Sequence, residues 1–164
     1  ESMAYVRNPL INLVILGDGP LKSLLQSITI KHNLSKKVYF HQAVTQEELL
    51  NYTSCADLGV IPYQATCLNN YYCTPNKLFE FIAAEIPILS AKLPSIENIL
   101  NEFQIGLTAD FASSSQISHA LDSLFENEQI LKKYKNGRRN GNLYNNDCVY
   151  ACWLVVTNAT AQQV

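Results

Sequence analysis

Two charged residues set in an apolar stretch, Lys77 and Glu80, are where chemistry is first to be sought. They lie in Pro75-Asn-Lys-Leu-Phe-Glu-Phe-Ile, which reads as a helix capped by Thr74, with Pro75 at the first helical position where its missing N–H costs nothing. A cation in that first turn opposes the helix dipole by about 0.3–1 kcal/mol, and an anion at the helix mouth would reverse the sign. Glu80 stands between Leu78, Phe79, Phe81 and Ile82, so its carboxylate either escapes to solvent or accepts hydrogen bonds from something specific. One turn separates it from Asn76 and Lys77. A pair of ribose hydroxyls suits a carboxylate at that depth, and phosphates suit Lys77 and the helix N–H groups. A nucleoside diphosphate is therefore chemically sensible here. A solvated lysine, or an ordinary surface pair of Lys77 with Glu80, accounts for the same spacing.

Other chemistry finds little support. The Gly17-Asp-Gly19 turn invites a dinucleotide reading, but the third glycine of that fingerprint is replaced by Lys22. Gly17 and Gly19 are better read as serving a sharp strand-to-helix turn at the ligand edge, with Asp18 as a turn or capping residue. No phosphate loop of the GKS or GKT kind occurs. The five cysteines, at 55, 67, 73, 148 and 152, include no CxxC pair and no zinc-spaced cluster, so reduced packed thiols are expected, with no metal and no cofactor.

The chain has 164 residues, 12 basic and 14 acidic side chains, a net charge of −2 and only 16% charged residues against 48% hydrophobic ones. That is one globular unit, not a disordered or coiled-coil chain. There is no basic surplus for a nucleic-acid partner. The apolar run from Val149 to Val156 is far short of the roughly 20 residues of a membrane span, and no leader-like segment opens the chain. A soluble, cytoplasmic domain is the expectation.

The elements that must position Lys77 and Glu80 alternate. Apolar strands are expected at 10–17, 37–41, 58–63 and 86–90. Helices are expected from about 21 to 33 with Leu21, Leu24, Leu25 and Ile28 inward, and from Thr45, where Thr45 and Glu48 have capping-box spacing, with Leu49, Leu50 and Tyr52 packed. Further helices cover 75–84, 95–104 (Ile96, Ile99, Leu100, Phe103) and 115–127 (Ile117, Ala120, Leu121, Leu124, Phe125). Residues 136–146 read as a loop or frayed helix end, and VYACWLVV after them as helix or strand. Repeated β-then-α order predicts an α/β fold with a doubly wound parallel sheet and helices on both faces. Ligands of such sheets bind beyond the carboxyl ends of the strands. Four loops are then of interest: 17–20, 41–46, 63–76 and 90–94.

LVILGDGPLKSLL, KVYFHQAVTQEELLNYTSCADLGVIPY and NYYCTPNKLFEFIAAEIPILSAKLPSIENIL resemble, in this order, the C-terminal nucleotide-sugar-binding domain of GT-B glycosyltransferases of the large retaining family four. The resemblance covers about residues 5–130. It implies sugar transfer from a nucleoside-diphosphate donor to an acceptor, the donor lying in a cleft between two Rossmann-like domains. By position, Glu80 matches the glutamate expected at the donor ribose; Pro75, Asn76 and Lys77, with Thr74, match the helix mouth beside the diphosphate and sugar. Val44 and Gln46 match the loop lining the base. Departures accompany the match. Tyr72 stands where many members carry a first glutamate, which leaves Asn69, Asn70 or Asn76 as candidate contacts to the sugar. Gln42 and Glu85 stand where glycines are usual, and at positive φ a glutamate is costly.

The resemblance further implies that the domain's first strand, with the basic residues of the loop after it, precedes Glu1, and that the acceptor domain is a separate, missing N-terminal partner. Residues 1–140 are then a Rossmann-like domain lacking its first strand, and 141–164 a divergent segment. Two readings follow: the donor-binding part of a retaining glycosyltransferase acting on a glycan or lipid-linked glycan, near a membrane in the full-length enzyme and inactive as 164 residues alone; or a non-catalytic or decayed nucleotide-binding module. A flavodoxin-like signalling domain is more distant, for want of an acidic cluster at the strand ends.

Overall fold

A computed structural model of the chain describes residues 1–126 and 150–155. After a short 3-10 turn at Ser2–Ala4, the elements are β1 (Ile11–Leu16), α1 (Lys22–Lys31), β2 (Val38–His41), α2 (Gln46–Thr53), β3 (Leu58–Ile61), α3 (Leu68–Tyr72), α4 (Asn76–Ala83), β4 (Ile88–Ala91), α5 (Pro94–Phe103), β5 (Gly106–Ala109), α6 (Ser114–Glu126) and β6 (Tyr150–Val155). The strands form one sheet in the order β2-β1-β6-β3-β4-β5, and every neighbouring pair is parallel. The expected doubly wound α/β architecture is what the chain adopts.

The central place in such a sheet ordinarily belongs to the first strand of the chain. Here β6, from the C-terminal segment whose structure was open between helix and strand, fills it. β6 pairs along its whole length with β1, Ile11 opposite Tyr150 through Leu16 opposite Val155, and more briefly with β3. The loop expected at 136–146 lies outside the described residues.

Each face of the sheet carries its own core, as alternating strand side chains require. One gathers Ile11, Ile15, Val38, Leu58 and Leu89 with Leu121, Leu124 and Phe125 of α6. The other gathers Leu16, Ile61 and Ile88 with Leu78 and Phe81 of α4 and Ile96 and Leu100 of α5. α4 approaches the sheet closely: a Cβ on Gly59 would come within 2.4 Å of the Phe81 ring. A glycine in β3 therefore sets the depth of the helix bearing Lys77 and Glu80.

Three expectations about helix faces are corrected. α1 begins at Lys22, leaving Leu21 and Leu24 exposed while Leu25, Ile28 and the buried Thr29 face inward. On α2, Leu50 is exposed and Thr53 is the buried residue. Phe103 lies out in solvent at the end of α5. Aliphatic spacing alone cannot distinguish stripes one position apart, and the sheet chose the neighbouring stripe.

Helix ends follow a common device. Asn33, Glu85 and Gln104 all adopt positive φ, near 51–56°. After α4, the Glu85 N–H donates to the Ile82 carbonyl at 3.0 Å and the Ile86 N–H to that of Phe81 at 3.2 Å, a complete Schellman motif. The left-handed cap expected of a glycine is thus made with a glutamate. β5 and α3 have no counterpart in the sequence pattern. The long loop after β3 encloses α3, which is tied to α5 by the Ser95 hydroxyl donating to the Tyr72 carbonyl at 3.0 Å.

Candidate functional site

Parallel strands bring every β-to-α connection to the same edge of the sheet, so the four loops of interest converge. The Gly17 turn is built as the sequence suggests. Gly17 has φ 125°, a conformation that favours glycine, and its N–H donates to the His41 carbonyl at 3.2 Å. Gly19 serves the turn differently, its carbonyl accepting from the Lys22 N–H at 3.1 Å. Asp18 ties two loops together: its Oδ1 receives Lys22 Nζ at 2.5 Å and its Oδ2 the Ala43 N–H at 3.3 Å. The Lys22 hydrogen bond first, and then the Ala43 N–H, hold the Asp18 carboxyl below its ordinary range.

The loop after β2 ends in a true capping box, Thr45 Oγ1 accepting from the Glu48 N–H at 3.4 Å while Glu48 Oε2 accepts from the Thr45 N–H at 3.3 Å. Val44 is half-buried against the core shared by α4. Gln46, the first residue of α2, is exposed. His41 and Tyr52 close the base of this loop, their rings 5.1 Å apart and tilted by 51°.

α4 starts one residue later than the sequence suggests. Pro75, extended at φ −68° and ψ 149°, takes the N-cap place, and Thr74 lies outside the helix and is exposed. Because Pro75 is itself extended, the helix begins at Asn76 and the N-cap place passes from Thr74 to a residue with no side-chain oxygen to cap with. No side chain caps the first turn of α4. Asn76 is exposed there, whereas Lys77 is buried with 7% of its surface accessible.

Lys77 and Glu80 meet. Lys77 Nζ lies 2.5 Å from Glu80 Oε2, with side-chain exposures of 9% and 14%. The other carboxylate oxygen, Oε1, lies 2.7 Å from the hydroxyl of Thr53, which is wholly buried at the end of α2. Two helices brought together by the fold thus hold one carboxylate at both oxygens. The first-turn cation is neutralised within its own helix, at the three-residue spacing where side chains meet. Both members of the pair are marked in the sequence as charges within an apolar run, whereas Thr53, a threonine at a helix end 27 residues away, carries no mark of its burial.

The remaining candidates lie on the rim. Asn70 donates through Nδ2 to Thr66 Oγ1 at 2.8 Å, and Asn69 is exposed. Tyr72 packs edge-on against Tyr71, ring centroids 4.9 Å apart. Burial pushes the Cys73 thiol up, which lowers its thiolate fraction and makes it a poor nucleophile. Among the described residues no three His, Cys, Asp or Glu side chains gather as a metal site would require, and no helix is long and apolar enough to cross a membrane.

Comparison with known proteins identifies the family and the fold. Chitobiosyldiphosphodolichol beta-mannosyltransferase of Candida albicans is 24% identical over 132 residues, covering 79% of this chain and 28% of that protein. The enzyme of the same name from Debaryomyces hansenii is 26% identical over 144 residues, covering 84% and 30%. The chain thus spans less than a third of these relatives. Among solved structures, sucrose-phosphate synthase from Thermosynechococcus elongatus superposes with a TM-score of 0.58 at 14% identity, over 81% of this chain and 41% of that one. WaaG, a glycosyltransferase involved in lipopolysaccharide biosynthesis, gives 0.56 at 14% identity, over 77% and 41%. The fold is that of these GT-B glycosyltransferases. Residues 1–142, which carry the Gly17 turn, Thr53 and the Lys77–Glu80 pair, match the family described as Glycosyl transferases group 1, and the chain belongs to that family.

Proposed function

We propose that this chain is the donor-binding part of a retaining glycosyltransferase that takes a sugar from a nucleoside-diphosphate sugar. The observation that carries this reading is the Glu80 carboxylate, held by Lys77 and Thr53 at the edge of a doubly wound sheet where ligands of such folds bind. With 14% of its side chain exposed, the carboxylate keeps access to solvent, and each of its oxygens has a second lone pair with which to accept from a ribose hydroxyl. Asn76, Lys77, Pro75 and Thr74 form the helix mouth that receives the diphosphate and sugar, while Val44 and Gln46 line the base. The ammonium of Lys77 has three hydrogens, so its bond to Glu80 leaves donors for a phosphate. Helix N–H groups and this cation stabilise the charge that grows on the departing diphosphate, an electrostatic role that needs no protein nucleophile.

The acceptor is a glycan or lipid-linked glycan, a reading supported by the two mannosyltransferases whose names specify a dolichol-linked acceptor. Acceptor choice falls to a partner domain on the N-terminal side, with the work done in the cytoplasm near a membrane. The 164 residues alone are then inactive in transfer. Titration calorimetry with GDP, UDP and ADP tests the site: the parent binds one of them and Glu80→Ala loses most of that affinity. Equal binding by Glu80→Ala refutes the placement, and no binding of any of the three refutes the donor-binding reading. A nucleotide-binding module without transfer is the second reading, favoured by the burial of Lys77 in its pair with Glu80; transfer by the full-length protein would exclude it.

A further inference from the structure

Thr53 has two acceptors for one proton. Its Oγ1 lies 2.8 Å from the Leu49 carbonyl, the usual back-bond of a helical threonine, and 2.7 Å from Glu80 Oε1. A hydroxyl carries a single hydrogen, so the proton is shared between a backbone carbonyl of α2 and a carboxylate of α4.

We infer that Thr53 is a positioning residue for ligand recognition by Glu80, an inference that rests on the ribose-binding reading of that carboxylate. A glutamate has three rotatable bonds, and fixing it on binding costs rotamer entropy. Lys77 fixes one oxygen from within α4, but a single bond to a long side chain still lets the carboxylate turn about that contact. Thr53 is short, β-branched, wholly buried and on a different helix, so it fixes the second oxygen from a stiff support. Two anchors from two helices define the carboxylate plane before a ligand arrives, which is how an adjacent pair of hydroxyls can be told from one or none. The same contact makes the spacing of α2 and α4 part of the recognition.

The test compares ribonucleoside diphosphates with their 2′,3′-dideoxy counterparts, using whichever of GDP, UDP or ADP the parent binds best, in Thr53→Val, Thr53→Ser and Glu80→Gln. Thr53→Val keeps the volume and removes the hydroxyl. It is expected to weaken the ribonucleotide by about 3–10-fold, the scale of one hydrogen bond, and to leave the dideoxy compound within about 2-fold. Thr53→Ser, which restores the hydroxyl, recovers the parent preference. Thr53→Cys, of similar volume and far weaker as a donor, gives the same readout should the valine variant not fold. An unchanged ribo-to-dideoxy ratio in Thr53→Val, with the ratio lost in Glu80→Gln, overturns the role of Thr53 alone. Equal loss of both ligands in Thr53→Val also overturns it, because that is the signature of packing damage. An unchanged ratio in Glu80→Gln overturns the ribose reading itself.

Discussion

Lys77→Met offers the sharpest physical test of the site. The substitution keeps an unbranched side chain at a buried position but removes the partner 2.5 Å from Glu80 Oε2. Breaking a buried ion pair by deleting one member costs about 3–5 kcal/mol, because the remaining charge is stranded. Two features of this pair reduce that figure. A first-turn cation opposes the helix dipole, so its removal returns about 0.3–1 kcal/mol. Glu80 keeps its Thr53 bond and some access to water, with 14% of its side chain exposed. The expected loss is about 2–4 kcal/mol, or about 5–15 °C in Tm for a domain of this size. Urea unfolding of Lys77→Met, Glu80→Leu and the double variant separates the pair from its parts. The double variant should be more stable than Lys77→Met alone, since no charge is left buried. A loss below about 0.5 kcal/mol for Lys77→Met, or strict additivity of the two changes, would show that the pair is solvated and the reasoning wrong.

Two further outcomes follow from the helix ends and the turn. Glu85→Gly should stabilise the chain by about 0.5–1 kcal/mol, the roughly 1–2 kcal/mol cost of left-handed backbone being offset in part by about 0.4–1 kcal/mol of extra unfolded-chain freedom. Glu85→Ala, which keeps the Cβ, should show no such gain in urea midpoint; equal gains from both would refute the strain argument. Asp18 has a lowered carboxyl in the folded chain, so its tie to Ala43 is at full strength above the ordinary value of 3.8 and fades as pH falls through the lower folded value. Amide exchange at Ala43 should therefore lose protection on acidification below that range, beyond its intrinsic pH dependence, and Asp18→Asn should abolish the excess; an unchanged profile in the variant refutes the assignment.

What the sequence reveals depends on how local the cause is. β1, β2, β3 and β4 announce themselves as apolar runs, and Thr45 with Glu48 marks the start of α2 within four residues. Lys77 and Glu80 stand out because both break an apolar pattern, and their pairing needs only helical spacing. Thr53 becomes visible only when α2 packs on α4, a consequence of tertiary structure. β5, Gly-Leu-Thr-Ala, is too short and too mixed to show a period, and α3 is a single turn and a half inside what reads as loop. The inward stripe of α1 lies one position away from the leucine pattern because Leu21 and Leu24 fit a helical period as well as Thr29 does, and only the sheet decides between them. The resemblance to a glycosyltransferase domain was carried by motifs in order, which no single element could supply.

β6 has a consequence for how this molecule comes into being. Among the described residues, the strand pairing that joins β2 and β1 to β3, β4 and β5 runs through Tyr150–Val155. During synthesis both flanks can be complete while the strand that joins them has yet to be translated. Without it, among the described strands, β1 and β3 each present an unpaired edge, the kind of surface on which strands of other chains assemble. The pairing of Ile11 with Tyr150 also closes a very long stretch of chain, a step that long-range contacts make slow. While Tyr150–Val155 is unpaired the core is therefore most open to misassembly, and the docking of that strand ends the exposure.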